Sequence, residues 1–343
     1  AALETGRKSF ERYPLSRAHA SMTTVALSIP ATTRAIPASH RFRRRARGSR
    51  TIVRASAPDG ASGAGVSDAL RKCAIAFVDR HVSDGDRVGI GAGPMVSLVL
   101  AEIHDALADG RLNDVQAVPT GTLAAKEAAV AGVPVTNLDD VPAVSVCVLQ
   151  ADEVVTYRDE KSPGIAAVVG REQRPVQPDL ILTRKVVRKS VKIVLLAEEL
   201  GDPAPLGGGV PIAVVGGQME WEECAEELDD MFLGDAEVWR RGSELEANPR
   251  GGKQPYVSAD GSHTIVDLRF NDPLNDGARW DDGFLLAGDV ATPYQIAAEV
   301  EDIDGVLAHG IVTQADSVMW PDASDPSGVG EYVVDKKGAR SSS

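Results

Sequence analysis

The segment Arg87-Val88-Gly89-Ile90-Gly91-Ala92-Gly93-Pro94 joins a short apolar strand, a glycine-rich turn and the start of a helical pattern. Gly91 and Gly93 allow a ligand to approach the backbone closely, and the start of the helix offers unpaired N–H groups and a positive dipole end. Such a segment is typical of an anion site at the end of a strand. The motif alone is equally consistent with a tight turn that holds no ligand.

Strands and helices alternate on both sides of this segment. Helical patterns at residues 68–82, 94–107 and 124–131 are interleaved with strand-like runs at 115–120, 133–135 and 144–149, and residues 193–196 add a further apolar strand. Alternation at this spacing favours a parallel sheet with crossover helices.

After Gly207-Gly208-Gly209 this alternation stops, and strand-like runs at 212–215, 264–270 and 306–312 surround helical patterns at 219–233 and 295–300. The predicted fold class is therefore α/β: a Rossmann-like parallel sheet domain with a smaller inserted α+β domain of the ferredoxin-like kind. The predicted boundaries are a leader with a transit peptide at 1–54, a linker at 55–67, the Rossmann-like domain at 68–208 and 309–321, the small domain at 209–308, and a flexible tail at 322–343.

Charge is distributed unevenly along the chain. The 36 Lys and Arg and 50 Asp and Glu give a net charge of −14, but residues 1–54 hold twelve basic residues against Glu4 and Glu11. The remainder is strongly acidic and repels phosphate backbones, and no apolar run reaches the roughly 20 residues that span a bilayer. The folded part is predicted to bind neither nucleic acid nor membrane.

The leader has the composition of an organellar transit peptide. Residues 22–54 contain no Asp or Glu and are rich in Ser, Thr, Ala and Arg. The Ser, Thr and Pro content of residues 23–37 favours the chloroplast, and hence the stroma, over the mitochondrion. The alternative is a basic tail that binds nucleic acid or an anionic surface.

No cofactor and no metal are predicted. A dinucleotide fold expects an acidic residue at the end of the second strand, where this chain has Val118-Pro119-Thr120. The three cysteines lack the CxxC spacing of a structural zinc site.

Several motifs, in chain order, resemble those of the type A ribose-5-phosphate isomerases. Residues 89–95 resemble that family's Gly-Leu-Gly-Thr-Gly-Ser-Thr loop, and 118–120 its Pro-Thr-Ser segment. Gly132-Val133-Pro134 is similar to Gly-Ile-Pro, and Ala151-Asp152-Glu153-Val154 to the end of Asp-Gly-Ala-Asp-Glu-Val. Residues 255–258, 264–270, 273–277 and 305–310 extend the resemblance over roughly residues 68–320.

The resemblance implies interconversion of ribose 5-phosphate and ribulose 5-phosphate through an enediolate, without a metal, in the pentose phosphate pathway and Calvin cycle. It implies that Gly91 and Gly93 belong to the phosphate cradle, with Thr120 as a replacement hydroxyl. The three hydroxyl positions of the family's loop correspond here to Ala92, Pro94 and Met95. The phosphate site is therefore expected to be weakened.

The catalytic positions implied by the resemblance are also altered. Asp152 matches the second aspartate of the family's Asp-Gly-Ala-Asp, whereas the first corresponds to Leu149 and the glycine to Gln150. Two alignments place either Lys161 or Arg171 as the cation that faces the enediolate. The general-base glutamate corresponds to Arg184, with Glu172 as the substitute candidate.

Two hypotheses follow from these matches. The first is a plastid isomerase acting on a sugar phosphate, with Asp152, Glu172 and Lys161 or Arg171 in rearranged roles. The second is a catalytically inactive member that binds a sugar phosphate or a protein partner. The resemblance implies a homo-oligomer in either case, and no residues support a nucleotide-binding or acyl-CoA-transferring relative.

Overall fold

The computed structural model describes residues 63–159, 162–171, 176–200, 209–216, 220–232, 236–243, 255–270 and 293–334. The predicted leader lies outside these ranges. The helices are α1 (Gly63–His81), α2 (Pro94–Ala108), α3 (Thr122–Ala131), α4 (Leu180–Lys189), α5 (Glu220–Phe232) and α6 (Pro293–Asp302), with a 3-10 turn at Leu138–Asp140. The strands are β1 (Arg87–Ile90), β2 (Gln116–Pro119), β3 (Val144–Gln150), β4 (Glu153–Asp159), β5 (Ser162–Val168), β6 (Ser190–Leu196), β7 (Gly209–Val215), β8 (Ala236–Arg240), β9 (His263–Phe270), β10 (Val306–His309), β11 (Ile311–Val312), β12 (Ser317–Pro321) and β13 (Val329–Val333).

The largest sheet has the strand order β13-β12-β6-β3-β1-β2. Its strands run parallel except for β13, which pairs antiparallel with β12. The central strands are apolar on both faces because helices cover both sides, as β3 shows with Val146, Cys147 and Val148 all buried. This architecture confirms the predicted Rossmann-like parallel sheet.

A second, antiparallel sheet has the order β10-β7-β9-β8. With α5 and α6 it encloses its own core, in which Ile212, Leu228, Phe232, Val266 and Ile296 are buried. The acidic face of α5 and its buried Cys224, Leu228 and Phe232 follow the helical period that the sequence shows. These elements form the predicted smaller α+β region.

A third sheet, β11-β5-β4, was absent from the sequence prediction. The predicted strand at 306–312 is in fact divided at Gly310 between two sheets, since β10 pairs with β7 and β11 with β5. A Cβ on Gly310 would overlap the carbonyl oxygen of Val169, so only glycine permits this close crossing.

Two local expectations need correction. Part of the predicted flexible tail is ordered in the sheet, because residues 329–333 form β13 and Gly330 packs against the Trp320 ring. The predicted strand at 133–135 is reduced to a single bridge between Ala117 and Val135. Pro134 lacks an N–H and contributes only its carbonyl oxygen, which accepts from Ala117 N at 2.8 Å.

Candidate functional site

A cleft lies at the carboxyl ends of β1, β2 and β3, beside the N-terminus of α4. Gly91 and Thr120 line it, together with Leu149 and Gln150 from the end of β3 and Asp179 from the start of α4. Ligands bind at this edge of open parallel sheets, because the loops that follow the strands converge there. The cleft therefore occupies the position that the glycine-rich segment predicts.

A side chain of the protein itself occupies the glycine-rich loop. Gln150 Oε1 accepts a hydrogen bond from the Met95 N–H at 2.9 Å. Gly93 has φ 136° and ψ 161°, and a Cβ there would overlap the Gln150 side chain. The Gly91 N–H is also engaged, since it donates to Val148 O at 2.9 Å within the sheet. Because Pro94 has no N–H, little of the loop's donor capacity remains for an anion.

Glu127 of α3 adds a carboxyl group next to this loop. Burial raises its pKa, although the Ser97 side chain and the Gly93 N–H act in the opposite direction. Among the described residues its Oε2 is buried without a hydrogen-bond partner. An acidic side chain in this position opposes a bound phosphate. Sequence reasoning missed Glu127, since nothing local marks it among the alanines of α3.

Replacing Gln150 with glycine is expected to strengthen binding of inorganic phosphate by about 10-fold or more, because it frees the Met95 N–H at the start of α2. Isothermal titration calorimetry of the purified full chain measures this change. Gln150→Glu is the matched control, since it keeps an acceptor at the loop and adds charge, and it should bind phosphate no better than the wild type. Equal affinity in all three proteins would show that Gln150 does not block the loop.

Asp179 provides the one carboxylate among the described residues that line the cleft. Its Oδ1 accepts from Leu182 N at 2.8 Å and caps α4, and its Cβ packs beside Gly121. Thr183 donates to Asp179 O at 2.7 Å and extends toward Thr120. Sequence reasoning missed this role of Asp179. An aspartate directly before the apolar run 180–182 is an N-cap signal that could have found it.

Asp152 and Arg171 lie together beside the cleft, outside its lining. The Asp152 Oδ2 accepts from Arg171 N at 2.9 Å. The surrounding protein raises the pKa of Asp152, and this burial outweighs the opposing effects of Arg171 and Arg241. The Arg171 guanidinium pairs with Glu153 and donates from Nε to Gly209 O at 2.8 Å. Arg171 therefore ties β4 to β7, and its charge is paired with Glu153.

Arg184, the position that corresponds to the family's general-base glutamate, does not line the cleft. Lys161 and Glu172 lie outside the described residues. Leu149 is buried against Gly91 and supplies only apolar surface to the cleft wall. Arg184 points from α4 toward Glu301, with its Nη2 2.6 Å from the Glu301 Oε1. The structure thus brings together Gly91, Thr120 and the unpredicted Asp179.

A buried arginine that no sequence pattern indicates supports the cleft wall. Arg241 is 6% exposed and forms a two-pronged ion pair with Asp267 of β9. Its Nη1 also donates to Gly170 O at 3.1 Å and to Gln177 Oε1 at 3.3 Å. Gly170 and Gln177 both line the cleft, so Arg241 fixes the small antiparallel sheet to this wall.

Within the described ranges, no three His, Cys, Asp or Glu side chains are grouped so that they could hold a metal ion. None of the helices described has the length and apolar character needed to cross a bilayer.

Comparison with known proteins gives the family. A family model described as ribose 5-phosphate isomerase A (phosphoriboisomerase A) matches residues 116–324. The chain belongs to the ribose-5-phosphate isomerase A family. Ribose-5-phosphate isomerase A of Roseiflexus sp. is 31% identical over 232 residues, which cover 68% of this chain and 82% of the relative. The probable ribose-5-phosphate isomerase 3, chloroplastic, of Arabidopsis thaliana is 27% identical over 247 residues, 71% of this chain and 76% of the relative.

Solved structures of ribose-5-phosphate isomerases share the fold. The Plasmodium falciparum protein superposes with a TM-score of 0.60 at 21% identity and covers 78% of this chain and 98% of its own. The Methanocaldococcus jannaschii protein gives a TM-score of 0.58 at 21% identity, with 78% and 99% coverage. The fold and the family are those that the sequence motifs predicted, while the cleft of this ribose-5-phosphate isomerase family member carries Leu149 and Gln150 at the end of β3.

Proposed function

We propose that this chain is a non-catalytic plastid member of the ribose-5-phosphate isomerase A family that binds a sugar phosphate weakly and acts as a binding scaffold. The observation that carries the proposal is the end of β3, where Leu149 presents apolar surface to the cleft and Gln150 occupies the glycine-rich loop. Leu149 stands where the family has a proton-carrying aspartate, and Gln150 takes up a backbone N–H that a phosphate would need.

The isomerisation sets a clear chemical requirement. A base must remove the proton from C2 of the open-chain aldose and return it to C1, while a proton moves from the O2 side to the O1 side of the enediolate. General base catalysis contributes about a hundred- to ten-thousand-fold in rate, so a cleft without a positioned base retains little turnover. Leu149 cannot move protons, and the α4 position that corresponds to the family's glutamate is Arg184, directed at Glu301.

A second candidate function is isomerase activity with a relocated base. It is favoured by Asp179, whose carboxylate lines the cleft between Thr120 and Thr183. Under this hypothesis Asp179 takes the proton from C2 and Thr120 or Thr183 orients the sugar hydroxyls. Its Oδ1 already accepts from the Leu182 N–H, so one of the two carboxylate oxygens is engaged in capping α4.

A turnover assay separates the two functions. Purified full-length protein and ribose 5-phosphate are incubated, and ribulose 5-phosphate is followed beside an active member of the family. We expect product formation about a thousand-fold or more below that of the active member, as expected for loss of the base. Asp179→Asn and Asp152→Ala are run in parallel, with circular dichroism to confirm that each is folded. Turnover that disappears in Asp179→Asn would establish the relocated base and overturn the non-catalytic proposal.

Chloroplast stroma as the location is part of the same proposal. It is supported by the acid-free, Arg-rich composition of residues 22–54 and by the similarity to the chloroplastic relative of Arabidopsis thaliana. Imaging of a fluorescent protein fused after residue 62 tests it. A homo-oligomer is proposed as well, as the family resemblance implies, and light scattering of the assay sample tests it: the mass of a single chain would contradict it.

A further inference from the structure

A second cavity, of about 140 Å³, lies between α4, α6 and the segment that carries β10 and β11. Its lining includes apolar side chains, Val187, Ala297 and Ile311, and a cluster of charged and polar side chains, Arg184, Arg188, Glu301 and His309. An engineered apolar cavity of about 150 Å³ holds benzene, so a cavity of this size admits a ring or a short branched chain.

The charged cluster in this lining contains more positive than negative side chains. Glu301 Oε1 lies 2.6 Å from Arg184 Nη2 and 3.1 Å from His309 Nε2, and its Oε2 lies 3.4 Å from Arg188 Nη2. Burial lowers the pKa of His309, more than Glu301 raises it, so the imidazole is neutral near pH 7. Two guanidinium groups thus share one carboxylate, and the cluster keeps one positive charge that a monoanion would neutralise.

One N–H donor of the Arg184 guanidinium also lacks an acceptor among the described residues. Its side chain is 19% exposed, and among the described residues its Nε is buried without a hydrogen-bond partner. A buried N–H without an acceptor is costly, and the guanidinium geometry matches the two oxygens of a carboxylate.

We propose that this cavity is a binding site for a small organic carboxylate with an apolar body. The carboxylate faces Arg184 and Arg188, and the body lies against Val187, Ala297 and Ile311. The site is separate from the cleft, whose lining includes neither arginine. The inference does not depend on whether the cleft is catalytic.

Benzoate is the probe, because it combines a carboxylate with a ring of the right size. Titration of the full-length protein, followed by isothermal calorimetry, is expected to give saturable binding with a Kd of about 1 mM or tighter. Benzyl alcohol, which lacks the charge, and inorganic phosphate, which lacks the apolar body, are each expected to bind at least about 10-fold more weakly. Binding of phosphate as tight as that of benzoate would overturn the assignment of an organic ligand.

Two variants locate the binding. Arg184→Gln is expected to weaken benzoate binding by about 10-fold or more, because it removes one of the two guanidinium groups that face the carboxylate. Ala298→Phe keeps every charge and fills the cavity from the exposed side of α6, and it should abolish binding with little change in the melting temperature. If Arg184→Gln fails to fold, Ala298→Phe decides alone. Benzoate binding that is absent from the wild type, or unchanged in Ala298→Phe, would refute the proposal.

Discussion

Replacing Arg241 with methionine is expected to lower the free energy of unfolding by about 3–5 kcal/mol, the usual cost of removing one partner of a buried ion pair. The substitution leaves Asp267 without its counter-charge and removes donors from Gly170 O and Gln177 Oε1. Urea unfolding followed by circular dichroism measures the loss.

Two further variants test whether the loss of stability comes from the ion pair between Arg241 and Asp267. Arg269→Met removes an exposed arginine that lies over the Trp239 ring, and it should change stability by only about 0.5 kcal/mol. Arg241→Met combined with Asp267→Leu should recover much of the loss, because two apolar groups can replace a buried ion pair at little cost. A loss below about 1 kcal/mol for Arg241→Met would mean that this ion pair does not anchor the cleft wall.

Gly93→Ala is expected to destabilise the protein by about 2–4 kcal/mol. The backbone at φ 136° and ψ 161° belongs to a region that is nearly restricted to glycine and costs other residues about 1–3 kcal/mol. A Cβ would in addition overlap Gln150 and displace its hydrogen bond to the Met95 N–H. The same unfolding measurement reports the change.

The steric part of this effect can be isolated with a double-mutant cycle. In a Gln150→Gly background, Gly93→Ala should cost less by about 0.5–1 kcal/mol or more, since the side chain that it displaces is absent. Gly85→Ala is the matched control: Gly85 also has a positive φ of 79°, but nothing lies within 4 Å of its added Cβ. It should lose about 1 kcal/mol from backbone strain alone. Additive effects of the Gly93 and Gln150 substitutions would contradict the contact.

The parallel sheet could be predicted because its signals are local. Each of β1, β2 and β3 is a short apolar run, and β1 and β2 are each followed by a turn and a helical period. The third sheet was missed because residues 154–157 of β4 favour a strand, but the charged Glu153, Arg158 and Asp159 at its ends leave only that short run. The sheet also needs β11 to pair with β5, more than 140 residues earlier in the chain, through the crossing at Gly310.

The position of the candidate site could be predicted from the sequence better than its chemistry could. The glycine-rich segment and Thr120 indicated the cleft, and an N-cap signal was available for Asp179. The filling of the loop by Gln150 depends on residues that are 55 positions apart in the chain, and the Arg241 ion pair on residues 26 apart. Neither contact leaves a periodic or local signature, so only the three-dimensional arrangement reveals them.

Thr183 lines both the cleft and the second cavity, and Val169 does the same. These two side chains form a partition that is shared by two compartments of the molecule. A ligand that shifts the partition toward one compartment changes the volume of the other. If a ligand in one compartment moves this partition, it changes the affinity of the other compartment for its ligand, and by reciprocity the second ligand changes the affinity for the first by the same factor.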